Sequence, residues 1–282
     1  MSQTTAPVVP IHLLLIDAQN DFCDHPASAC PSGVAPALPV AGADADLQRV
    51  AHLLRTAGGR IQALTLTLDS HQRQDIAHPP FWRQADGRDV APFTPIRAAD
   101  VRAGTYRPAQ ADALPRVLTY LEALEAQSRY THMVWPVHCE EGTWGHALPP
   151  AIAAACAGWT HATGRAPLSV FKGRNPWTEH YSAVQAEVPD PADPATQPNA
   201  ALLAALAPAG EIVVAGQAAS HCVRATVEHL MAQLPQPERF TLLLDGMSPV
   251  GGFEAEAEAF FAHAQALGAR RMRCAEWLAQ RI

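Results

Sequence analysis

The stretch Glu211–Leu230, EIVVAGQAASHCVRATVEHL, decides how the chain is read. Glu211–Gly216 is a short, continuous apolar run of the kind that suits a central strand covered on both faces. It breaks at Gly216 into small residues, and Cys222 stands where a helical pattern, Cys222–Gln233, begins. A thiol at such a strand-to-helix turn has two readings. It is either a buried structural cysteine or a nucleophile at a helix N-terminus. There the helix dipole and unpaired backbone N–H groups favour a thiolate and can hold an oxyanion.

Outward from this stretch the same alternation recurs. Strand-length apolar runs lie at Ile11–Asp17, Ile61–Asp69, Pro167–Lys172 and Phe240–Asp245, with a shorter one, HMVW, ending at Trp135. Helical patterns fall between them at Asp44–Thr56, Ala111–Ala126, His146–Ala157, Asn199–Leu206 and Phe253–Leu267. Alternating strands and helices predict an α/β fold, an α/β/α sandwich with a mainly parallel central sheet. Two stretches, His71–Ala111 and Gly173–Pro198, show little periodicity and read as long loop arms, functional covers or interface arms. No repeat or low-complexity linker divides the chain, so residues 1–282 are expected to form a single domain.

Composition narrows the function classes. A net charge of −7 and no basic tract argue against a nucleic-acid partner. No apolar run reaches membrane-spanning length, and the N-terminus lacks a basic signal-peptide region. Six cysteines spread over 282 residues do not form a disulfide framework, so a cytoplasmic, reduced protein is expected. The chain holds 19 arginines but one lysine, Lys172. Lys172 is either a chance survivor of a bias toward arginine or a cation whose compact, tunable ammonium guanidinium cannot replace.

In parallel sheets of this kind ligands bind beyond the carboxyl ends of the strands. Asp17, Asp69 and His71, Lys172 and Cys222 all fall there. Asp17 is either a turn residue or a partly desolvated base able to take a thiol proton. Asp69 and His71 alternate on an extended segment and can face the same way. With His138, they would make a two-imidazole, one-carboxylate set for a divalent transition metal. His12, His52, His161, His229 and His263 read as structural or surface residues.

Five motifs, LLLIDAQNDFC (Leu13–Cys23), TLDSH (Thr67–His71), WPVHCEEGTWGHAL (Trp135–Leu148), VFKG (Val170–Gly173) and GQAASHCVRAT (Gly216–Thr226), occur in an order that resembles nicotinamidases and related cysteine hydrolases of the isochorismatase-like superfamily. The resemblance implies a Rossmann-like three-layer fold and an Asp17–Lys172–Cys222 triad beside a metal site at Asp69, His71 and His138. His78 resembles a fourth ligand seen in some members. The metal so implied is zinc, with iron or manganese as alternatives, and in nicotinamidases it binds the pyridine nitrogen of the substrate. The resemblance also implies a cis peptide at Gln217–Ala218, which aims the Ala218 and Cys222 N–H groups at an oxyanion. Phe22, Trp135 and Tyr181 resemble, by position, the aromatics of the nicotinamide pocket. The activity implied is amide hydrolysis of a small carboxamide, nicotinamide to nicotinate and ammonia, through a cysteine thioester, in a homo-oligomer.

The sequence also departs from that pattern. Ser220 stands where nicotinamidases usually have aspartate two residues before the cysteine, and HPPFW (His78–Trp82) replaces H-x-S-F. NPWTEHYSAV brings Trp177, Glu179, His180 and Tyr181 toward the expected pocket mouth. The alternatives are a metal-independent carbamoyl or ureido amidase of the same superfamily and a non-catalytic thiol sensor or binding protein. Cys139, beside His138, is the one candidate partner for an oxidised Cys222.

Overall fold

Strand β1 (Ile11–Ile16) is buried at every position, and its side chains alternate between two hydrophobic layers. This computed structural model describes residues 9–280. Leu13 and Leu15 face one side with Leu47, Val50, Ile152, Trp159 and Trp277. Leu14 and Ile16 face the other with Leu202, Leu230, Phe260 and Phe261. A strand sandwiched in this way has no polar face to show, which is why its sequence is apolar except for His12, whose buried ring meets the Thr65 hydroxyl at 2.7 Å.

The remaining strands are β2 (Ile61–Asp69), β3 (Trp82–Gln84), β4 (Thr94–Ile96), β5 (Tyr106–Pro108), β6 (His132–Val134), β7 (Leu168–Lys172), β8 (Glu211–Gly216), β9 (Phe240–Leu243) and β10 (Arg270–Met272). Five of them join β1 in the central sheet in the order β10-β9-β8-β1-β2-β7, and every pairing in it is parallel. The helices are α1 (Ala43–Ala57), α2 (Ala98–Arg102), α3 (Leu114–Ala126), α4 (Pro150–Thr163), α5 (Ala200–Leu206), α6 (Arg224–Gln233), α7 (Glu254–Ala266) and α8 (Cys274–Ala279). α1, α4 and α8 cover one face of the sheet, and α5, α6 and α7 the other. The three-layer α/β/α sandwich expected from the alternation is the architecture observed. Among the described residues no helix is long and apolar enough to cross a membrane.

Four details differ from the sequence reading. The segment His132–Val134 does not join the central sheet; it pairs antiparallel with β4. The first arm is not plain loop: it carries β3, β4, β5 and α2. Ile76, Trp82, Ile96 and Val101 pack there with Val117, Leu121 and Val134 in a third hydrophobic cluster. Its apolar residues are spaced for short strands and turns, so no period emerges over a helical window. α4 starts at Pro150 rather than His146, because proline is tolerated in a first helical turn and not further in. Finally, β10 is a short edge strand bearing two arginines, too polar to show as an apolar run.

Register places the chemistry. Asp69 and Lys172 are direct neighbours across the β2–β7 pairing, and Ile16 lies opposite Gly216. Gly216 has φ +121°, and a Cβ there would sit 1.9 Å from the Ile16 carbonyl oxygen. Only glycine permits so close an approach between two strand ends. That approach brings the turn after β8 against Asp17.

Candidate functional site

Each strand end delivers one group. Asp17, just past β1, is fully buried with φ +45°. Its Oδ1 accepts a 2.5 Å hydrogen bond from the Thr67 hydroxyl, and its Oδ2 lies 2.9 Å from Lys172 Nζ. Lys172 ends β7 and is 2% exposed. Its ammonium also reaches Asp69 Oδ1 at 3.0 Å, the His180 carbonyl at 2.9 Å and Cys222 Sγ at 3.5 Å. Three N–H groups thus serve two carboxylates and a carbonyl, with the sulfur in contact.

The turn that holds Cys222 differs from the helix start read in the sequence. Residues Ala219–Val223 form a wide turn in which Val223 N–H bonds the Ala218 carbonyl at 3.2 Å, and α6 begins only at Arg224. Cys222 therefore sits inside the wide turn that leads into the helix. The Gln217–Ala218 peptide bond is cis. Ser220 ties the turn down: its hydroxyl meets His221 Nδ1 at 2.9 Å and accepts from Val250 N–H at 3.1 Å.

Burial sets the charge state. It pushes the Cys222 thiol well above the ordinary range. Lys172 pulls the thiol down, while Asp17, Asp69 and a hydrogen bond to Asp17 push it further up. Burial likewise raises Asp17, against Lys172 and with the help of Asp69. Lys172 loses by burial but is held well above its usual range by Asp17 and Asp69. At rest the site is a protonated thiol beside a charged lysine. A helix-start thiolate, one of the sequence expectations, is disfavoured because this cysteine is dry.

Next to the triad stands a second group of side chains. Asp69 Oδ2 is 3.1 Å from His71 Nε2 and 3.3 Å from His138 Nε2. His71, His78 and His138 are all buried and each offers a ligand atom within 4.8 Å of the others. Their Nδ1 atoms face outward, to the Asp75 carboxylate at 3.1 Å, the Gln72 carbonyl at 3.1 Å and the Pro136 carbonyl at 2.8 Å. The Nε2 atoms of His71 and His138 thus turn inward to the Asp69 carboxylate, and His78 Nε2 turns inward to His138, meeting its Nδ1 at 3.2 Å and its backbone N–H at 3.4 Å. Outward-facing Nδ1 partners of this kind orient imidazole ligands on a metal. His71 Nε2 is buried, and among the described residues its polar neighbour is the Asp69 carboxylate alone. Burial and the neighbouring His71 and His138 push His78 down to about 2, so it stays neutral. One carboxylate and three imidazoles fit a zinc-like cation, whose ligand nitrogens stand about 3.3 Å apart in a tetrahedral site. Burial pulls His71 down, but Asp69 and Asp75 hold it well above the usual imidazole range, so a cation bound there would displace its proton.

Cys222 and, from this cluster, Asp69 and His138 line one narrow cleft. Phe22, Leu38, Trp135, Tyr181, Ala218 and Val250 give it apolar walls, with Asp69, His138, Glu179, His221 and Cys222 as the polar lining. Trp135 Nε1–H donates to the Tyr181 hydroxyl at 3.1 Å, which fixes both rings. Of the residues that the sequence placed near the mouth, Glu179 and Tyr181 reach the cleft and His180 contributes its carbonyl to Lys172. Trp177 does not reach it. Its ring packs on Phe81 and beneath Arg116, because the third cluster offers a larger apolar surface.

Sequence reasoning missed the supporting residues. Gln19 brackets Asp69, donating to its carbonyl and accepting from its N–H at 2.8 Å each. Asp75 steers His71, and Thr67 steers Asp17. An aspartate four residues after a metal-type histidine is the one faint signal among these.

No family model and no curated protein matches the chain. Solved structures do. An Acinetobacter baumanii nicotinamidase/pyrazinamidase aligns over 96% of this chain and all of its own, at 19% identity and a TM-score of 0.62. The yeast nicotinamidase bound to the inhibitor nicotinaldehyde aligns over 93% and 99%, at 19% identity and a TM-score of 0.61. A Pyrococcus horikoshii pyrazinamidase in complex with zinc aligns over 93% and 98%, at 18% identity and a TM-score of 0.51. At these identities the likeness establishes a shared fold.

Proposed function

We propose that the protein is a metal-assisted amidase of nicotinamidase type, hydrolysing a small aromatic carboxamide through a thioester on Cys222. The observation that carries this reading is the position of Lys172 Nζ, within 3.5 Å of Asp17, Asp69 and Cys222 at once. One buried ammonium thereby links an acid, a thiol and a histidine cluster beside a single cleft. A cleft lined by aromatic rings with few convergent polar groups suits a flat amide.

In this reading Asp17 takes the Cys222 proton as the sulfur attacks the carboxamide carbon. Its raised pKa makes it a competent base toward a thiol that burial keeps protonated. The Ala218 and Cys222 N–H groups face the developing oxyanion. Asp17 then gives its proton to the departing ammonia, and water cleaves the thioester with Asp17 again accepting a proton. Lys172 keeps its charge throughout and stabilises the carboxylate and thiolate. Asp69, His71, His78 and His138 would hold a divalent ion, which supplies Lewis acidity toward a ring nitrogen or water.

The fit of the histidines to a cation favours this over the metal-independent alternative. The test is ammonia release from nicotinamide by metal-loaded protein, beside Cys222→Ala. Release by the wild type and its loss in the variant is expected. A wild type that binds metal and releases no ammonia from nicotinamide or related aromatic amides overturns the proposal.

A further inference from the structure

Glu179 is 4% exposed and lies on the wall of the cleft. Its Oε1 accepts the His180 N–H at 2.9 Å, whereas its Oε2 is buried with no hydrogen-bond partner. The backbone around it is fixed: its carbonyl accepts from Glu187 N–H at 2.8 Å, and its N–H donates to the Tyr120 hydroxyl at 3.3 Å. The backbone and Oε1 therefore hold the side chain in place while leaving Oε2 without a partner. Leaving a carboxylate oxygen dry and unpaired is costly, and such an atom in a ligand cleft is satisfied when the ligand arrives.

The other polar groups of the cleft have partners or other work. Asp69 and His138 belong to the histidine cluster, His221 Nδ1 meets Ser220, and Cys222 is the proposed nucleophile. The remaining wall is apolar. Burial, with contributions from Asp69 and Asp75, raises Glu179 to about 7, so close to neutrality it still offers an accepting oxygen.

We propose that Glu179 determines specificity, accepting a hydrogen bond from an N–H or O–H group that the substrate carries in addition to its carboxamide. This rests on the amidase reading of the cleft and narrows it. The preferred substrate class is an aromatic carboxamide bearing an amino or similar donor on its ring. A site built around such a donor discriminates against the analogue that lacks it, because the acceptor is then left buried and unpaired.

The experiment compares nicotinamide with its amino-substituted isomers, the amino group placed at each free ring position in turn. Metal-loaded wild type, Glu179→Leu and Glu179→Gln are assayed for kcat/KM. The same ligands are titrated calorimetrically into Cys222→Ala with and without Glu179→Leu. Assayed above the Glu179 pKa of about 7, where it is a carboxylate, one isomer is expected to exceed nicotinamide by about ten- to a hundredfold in wild type, the range of a hydrogen bond to a charged acceptor. The preference should vanish in Glu179→Leu and survive in part in Glu179→Gln. Equal treatment of all isomers and nicotinamide by wild type, or a preference unchanged in Glu179→Leu, overturns the inference. So does loss of bound metal in Glu179→Leu, since Glu179 would then be a ligand. If no amide is turned over, the amidase reading falls, and calorimetry alone decides Glu179: isomer binding that depends on it sustains the role, and its absence ends it.

Discussion

Replacing Lys172 by arginine keeps the charge and tests whether the shape of the cation matters. The Lys172 ammonium is enclosed by Asp17, Asp69, the His180 carbonyl and Cys222 at 2.9–3.5 Å. A guanidinium is larger and planar, so its donors cannot diverge toward partners arranged around a point. Forcing it into this space costs about 1–3 kcal/mol, the usual penalty of overpacking. Lys172→Met costs more, about 3–5 kcal/mol, because it strands two buried carboxylates. The sign of the pH dependence follows. Asp17 has a raised folded pKa, so its ionisation is a burden on the folded state above that pKa and none below the unfolded value. The Met variant should therefore be weakest in alkali and recover as pH falls toward the range in which Asp17 takes its proton. Urea unfolding at several pH values reads both numbers, and ammonia release reads function, expected to be lost in each variant. An arginine variant within about 0.5 kcal/mol of wild type, with full turnover, would refute the argument that a compact ammonium is required.

Asp17→Asn should separate reactivity from turnover: with one negative charge gone, Cys222 is alkylated faster by iodoacetamide while amide hydrolysis stops, and slower alkylation would contradict the charge assignment. Asp75→Asn removes the carboxylate behind His71 and is expected to weaken metal binding about 10–100-fold, measured by chelator competition. Chelation of the loaded protein should lower its melting temperature in proportion to the logarithm of free metal, and a melting point indifferent to metal would sink the donor set described. Gly216→Ala drives a methyl into the Ile16 carbonyl and should cost about 4 kcal/mol or more, seen as failure to fold or a collapsed urea midpoint.

The central sheet was readable because its strands are dry on both faces, so Ile11–Ile16 and Glu211–Gly216 are apolar apart from the buried His12 and Glu211 near their starts. The positions of Asp17, Asp69, Lys172 and Cys222 were readable for a related reason. Asp17, Asp69 and Lys172 stand at or next to the carboxyl end of a strand, Cys222 lies in the turn that follows one, and parallel strands bring those ends together. The arm between His71 and Ala111 was opaque, since β3, β4 and β5 are three residues each and draw their order from packing on α3 and pairing with β6, outside the arm itself. Trp177 was misplaced for the same reason: its partner Phe81 is nearly a hundred residues away. The unpaired oxygen of Glu179 left no trace in the sequence, because pairing is a property of three-dimensional neighbours alone.

The solitary lysine has a practical consequence. A protease that cuts only after lysine has one site in the whole chain, the bond between Lys172 and Gly173. That bond is buried in the native fold, so it is cut only when the end of β7 swings open. The appearance of two fragments is thus a clock for that single opening event. Its rate with and without metal would measure how firmly the cation clasps the molecule shut.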